Sequence, residues 1–93
     1  MPSTVVWKAA RLLTKSWEDG VVVYNLDSGN THLLNPTAGE VLKYLVQSPA
    51  PASTLANQLA AENNLEADPE LNYNIDRLLN YLDTLGLIEP LTQ

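Results

Sequence analysis

Residues 21–46, VVVYNLDSGNTHLLNPTAGEVLKYLV, constrain the fold more than any other part of this chain, because almost every one of them carries a local structural preference. Val21, Val22, Val23 and Tyr24 are β-branched or aromatic, the side chains that suit a pleated, half-buried surface. Asp27, Ser28, Gly29 and Asn30 are turn formers, and Gly29 can take a positive φ without a Cβ clash. Thr31, His32, Leu33 and Leu34 then return as the partner strand. Asn35 is a good helix N-cap, and Pro36 suits the first helical position, where its missing N–H would be unpaired in any case. Ala38, Val41, Leu42, Leu45 and Val46 follow at i, i+3, i+4, i+7 and i+8, one face of a helix. The segment predicts strand, tight turn, strand and amphipathic helix. It contains no catalytic machinery. It offers a short sheet edge beside helices, which suits a protein that holds a peptide.

The flanking segments extend this pattern. Residues 1–20 alternate around Val5, Trp7 and Ala9, and again around Trp17, which predicts one further strand without fixing its ends. Glu18, Asp19 and Gly20 read as the turn into the Val21 strand, and Trp7 and Trp17 as core or sheet-face packing. Residues 47–52, QSPAPA, read as a loop, and Ser53 or Thr54 as the cap of a second helix whose narrow apolar face is Leu55, Ala56, Leu59 and Ala60. Asp68, Pro69 and Glu70 start a third helix with a cap, a proline at the first position and an acid in the first turn. Its stripe is Leu71, Ile75, Leu78, Leu79, Leu82 and Leu85, and Gly86 is a natural C′ residue before Leu87 and Ile88 fold back onto the core. One shoulder of that stripe carries Asn74, Arg77 and Tyr81; the other carries Asn72, Asp76 and Asp83. The order predicts an α+β fold, a small three-stranded antiparallel sheet followed by three helices, like a winged helix-turn-helix.

Composition removes several functions. A chain of 93 residues makes one domain, residues 1–93, and buries roughly 60–65% of its unfolded surface. With no cysteine it has neither disulfides nor thiolate metal sites. No apolar run approaches the ~20 residues of a membrane span and no secretory signal opens the chain, so a soluble, cytoplasmic protein with no membrane partner is expected. The net charge of −6 falls entirely in the second half, where Arg77 stands alone against Glu62, Glu66, Asp68, Glu70, Asp76, Asp83 and Glu89. Such a surface repels phosphates, and most of these acids read as solvated helix faces. His32 is the only histidine, without the ligand set of a zinc site or the neighbours of a triad, and the four glycines are too scattered for a phosphate loop. We expect no enzyme activity, no cofactor and no metal.

The run WEDGVVVYNLDSGNTHLLN, from Trp17 to Asn35, continues through Pro36, Thr37 and Ala38 and ends in the leucine-rich helix with Leu85, Gly86, Leu87 and Ile88. This combination resembles the PqqD-like peptide chaperones, also called RiPP recognition elements, over roughly residues 5–90. The SGNTHLL wording is most similar to a subgroup found in gene clusters with a kinase-like protein related to the HPr kinases. The resemblance implies three strands before three helices, and a precursor's leader peptide added as an antiparallel strand in the cleft between the third strand and the third helix. A modifying enzyme of the same gene cluster then receives the precursor. The prototype serves pyrroloquinoline quinone biosynthesis with a radical-SAM partner; the THLLN strand and acidic third helix here depart from it.

Mapped onto this chain, the receiving strand is Asn30, Thr31, His32, Leu33 and Leu34, and the facing helix contributes Asn74, Arg77, Leu78 and Tyr81. Elementary physics agrees, since an edge strand presents unpaired N–H and C=O groups that a peptide can satisfy. Arg77 either pairs a leader carboxylate or pairs Asp76 or another surface acid, and Tyr81 is either a peptide contact or half-buried packing. Two other classes stay open. A winged-helix fold could bind DNA, but the third helix sets one cation against Glu70, Asp76 and Asp83, which argues for no nucleic acid partner. A homodimeric scaffold could form through the same edge strand.

Overall fold

The computed structural model describes residues 5–91. In chain order they form β1 (Val6–Ala9), β2 (Leu12–Trp17), β3 (Gly20–Asn25), β4 (Thr31–Leu34), α1 (Pro36–Gln47), β5 (Ala50–Pro51), α2 (Ala52–Glu62), α3 (Pro69–Thr84) and β6 (Ile88–Pro90). The expected α+β fold is present, with a three-stranded antiparallel sheet of order β2-β3-β4. Its register pairs Val21 with Leu34 and Tyr24 with Thr31 on one side of β3, and Trp17 with Gly20 and Leu12 with Asn25 on the other. The strand expected from Val21–Tyr24 runs one residue further at each end, and the one expected over residues 30–34 begins at Thr31.

A second sheet, of order β5-β1-β6, was not expected. The single strand anticipated in residues 1–20 is two strands, and they belong to different sheets. β1 pairs with β5 through Trp7 and Ala50, and with β6 through Trp7 and Pro90. Residues 47–52 are therefore not all loop. α2 begins at Ala52 behind Pro51, with no side-chain cap, so neither Ser53 nor Thr54 caps it. The local reason is that Pro51 already lies in the extended conformation an N-cap needs, at φ −80° and ψ 164°.

The other helix ends follow the sequence closely. The Asn35 carboxamide oxygen accepts from the Ala38 N–H at 2.8 Å, and the Asp68 carboxylate accepts from the Leu71 N–H at 2.9 Å. Gly86, at φ +78°, closes α3: its N–H donates to the Asp83 carbonyl at 2.9 Å and the Leu87 N–H reaches the Leu82 carbonyl at 3.0 Å. That pair of bonds is the Schellman arrangement, which needs a left-handed residue and brings Leu82 and Leu87, both fully buried, together.

One core joins the two sheets and the three helices. Val21, Val23 and Leu34 come from the sheet, Val41, Leu42 and Leu45 from α1, Leu55 and Leu59 from α2, Ile75, Leu79 and Leu82 from α3, and Leu87 and Ile88 from the end of the chain. α1 packs directly on β3 and β4. Gly39 makes this possible, since a Cβ there would collide with the Val21 side chain. Trp7 packs half-buried against the core as expected, but Trp17 is 46% exposed because it sits at the β2–β3 turn.

Candidate functional site

β4 lies at one edge of its sheet, paired to β3 alone. The Asn25 N–H donates to the Asn30 carbonyl at 2.9 Å, so the Asn25–Asn30 pair is a hydrogen-bonded one. Antiparallel pairs alternate. His32 and Leu34 therefore turn their backbone groups to β3, whereas Thr31 and Leu33 turn N–H and C=O outward. β4 itself begins at Thr31, and Asn30 lies in the turn before it.

Side chains alternate by face as well. His32 and Leu34 stand opposite Val23 and Val21, on the inner face; Leu34 is buried and His32 half-buried. The His32 imidazole Nε2 is buried and has no hydrogen-bond partner among the described residues. Leu33 and Thr31 stand on the outer face with Val22 and Tyr24. Leu33 is 67% exposed, the largest fraction of any large apolar side chain described.

Asn25 fixes the turn that leads into this edge. Its carboxamide oxygen accepts from the Asp27 and Ser28 N–H groups at 2.9 and 3.1 Å. Its Nδ2 donates to the Gly86 carbonyl at 3.2 Å, tying the β3–β4 turn to the end of α3. Gly29 takes its expected positive φ, +78°, within this turn. Asn25 is the buried polar side chain of the core region, and sequence reading missed it because its partner lies 61 residues away.

The α3 residues named from the sequence divide into two groups. Leu78 is half-buried against the core, beside buried Ile75, Leu79 and Leu82. Asn74, Arg77 and Tyr81 are exposed, Tyr81 by 53%. The opposite shoulder, with Asp76 and Asn80, lines a cavity of about 460 Å³ against Trp7, Pro51 and Ser53. The Leu78 shoulder therefore turns away from the β5-β1-β6 sheet. Arg77 makes neither of the ion pairs among the described residues, which join Lys8 to Glu89 and Arg11 to Asp27. Its guanidinium instead lies 5.8 Å from the centre of the Tyr73 ring, one helical turn earlier, a contact the sequence reading did not include.

Among the described residues no group of three or more His, Cys, Asp or Glu side chains could hold a metal ion, and no helix is long and apolar enough to cross a membrane.

No curated protein is significantly similar to the chain. Among solved structures, TbiB1 in complex with the TbiA(beta) leader peptide shares the fold, with a TM-score of 0.73 at 17% identity, covering 92% of this chain and 99% of that one. The family described as Coenzyme PQQ synthesis protein D matches residues 20–88, from the first residue of β3 to the first of β6. By that match, which takes in the hairpin, all three helices and the Gly86 closure, this chain belongs to the PqqD family.

Proposed function

We propose that the chain is a non-catalytic peptide chaperone that binds the leader of a ribosomally made precursor by strand addition to β4 and presents it to a modifying enzyme of the same gene cluster. The observation that carries this reading is the open β4 edge, in a chain of this family whose fold matches a protein solved with a leader peptide. Thr31 and Leu33 offer N–H and C=O groups to an antiparallel partner. Each such bond contributes about 0.5–1.5 kcal/mol net, so the backbone alone falls short of the roughly 8 kcal/mol of a micromolar complex. Side chains must supply the rest. On the inner face the leader meets His32 and the Leu78 shoulder of α3, with Asn74, Arg77 and Tyr81 at its rim.

The SGNTHLL wording directs the search for the precursor to gene neighbourhoods that carry a kinase-like protein related to the HPr kinases. The test is a titration of the labelled chain with the short peptide encoded beside its gene, followed by amide NMR. Shifts at residues 30–34 and 74–81 are expected. Their absence with every neighbouring precursor would sink the reading, and a concentration-dependent change in size without peptide would favour a homodimer through β4.

A further inference from the structure

The β2-β3-β4 sheet has a second open edge. The same alternation that turns Asn25 to β4 turns Tyr24 to Leu13, so Leu12, Thr14 and Ser16 direct their backbone groups away from β3. β2 is six residues long, against four for β4. At its end a groove of about 490 Å³ opens between β2 and the helices, lined by Trp17, Pro36, Glu40, Lys43, Tyr44 and Glu62 among others. Trp17 leaves much of its indole in water there. Glu40 accepts the Tyr44 hydroxyl at 3.1 Å, and neither Glu40 nor Glu62 has an ion-pair partner among the described residues. Lys43 lines the same groove and donates to the Ser16 hydroxyl, so the lining sets one cation at the β2 side against two carboxylates. Glu62 closes α2, whose last turn holds no basic residue, so the negative end of that helix adds to the carboxylates.

We propose that β2 and this groove dock an extended, basic segment of a second protein while a precursor occupies β4. The segment adds a strand along Leu12, Thr14 and Ser16, and its lysine or arginine enters the groove between the Trp17 indole and the two carboxylates. A cation there gains both the aromatic face and the unpaired acids. A second copy of this chain is the poorer occupant: each copy carries −6, and Lys15 stands in the middle of β2, the device by which edge strands resist self-pairing. With both edges filled, precursor and partner would lie in one continuous sheet about four strand spacings, roughly 19 Å, apart. The proposal rests on the peptide-chaperone reading only for the occupant of β4.

The test places the photocrosslinking residue p-benzoylphenylalanine at Thr14 or at Thr31 of the full chain, in cells expressing its neighbouring genes, and identifies the adducts by mass spectrometry. The Thr31 position should capture the precursor. The Thr14 position should capture a different protein through a segment bearing lysine or arginine, and the Glu40→Gln, Glu62→Gln double variant should lower that yield about fivefold while sparing the Thr31 adduct. Precursor, a second copy or no adduct at Thr14, with the Thr31 adduct intact, would overturn the proposal. Loss of the Thr31 adduct alone would overturn the peptide reading and leave this one standing.

Discussion

Asn25 holds the β3–β4 turn with its oxygen and the end of α3 with its nitrogen. Asn25→Ala would leave two turn N–H groups and the Gly86 carbonyl short of a partner at a buried site. A loss of about 1–3 kcal/mol is expected in chemical denaturation, and Asn25→Asp, which keeps only the acceptor, should fall between the two. Asn35 and Asp68 were legible because each caps a helix within three residues of itself. Asn25 was not, because one asparagine in a turn-rich run looks like any other until the chain end folds back on it. Tyr44 gives the residue scale its pH dependence. Burial first, then the Glu40 carboxylate as hydrogen-bond acceptor and neighbouring charge, then Glu62, hold the phenol well above the ordinary tyrosine range. The folded state thus keeps a proton the unfolded chain releases near pH 10. This contribution to stability is complete below that value and declines as pH rises toward the raised folded pKa. Unfolding followed from pH 8 to 11 should show the decline, and Tyr44→Phe should flatten it.

At the scale of elements, the alternation along β4 separates binding from folding. Leu33 turns its N–H to the free edge, so Leu33→Pro removes a donor that only a docked strand uses, and His32 already has the extended backbone that suits a residue before proline. Stability should change by about 1 kcal/mol or less, whereas affinity for the leader peptide should fall at least about tenfold in calorimetry. His32→Pro removes a donor to β3 instead and should destabilise the fold itself. The hairpin and the leucine stripe of α3 were legible from their periods of two and of 3.6 residues. The second sheet was not. β5 has two residues and β6 three, too few to show a period, and both pair with β1 across long stretches of chain. The exposure of Trp17 was hidden for a local reason: its alternation with its neighbours fits either face of a strand.

The whole molecule carries −6 with the excess in residues 47–93, and the one cation of α3, Arg77, lies against the Tyr73 ring. Duplex DNA should show no mobility shift at low salt, where counterion release would favour binding most. A salt-sensitive shift would restore the winged-helix reading. What the fold presents is a sheet with α1 packed on β3 and β4 and with β2 and β4 at its two edges. Strand addition at β4 can be read residue by residue in amide hydrogen exchange. In the free chain the His32 and Leu34 amides should be protected by β3, and those of Thr31 and Leu33 should exchange freely. Addition of the precursor peptide should protect Thr31 and Leu33, completing the alternation along the strand. Exchange at Thr31 and Leu33 unchanged by a peptide that demonstrably binds would contradict the account.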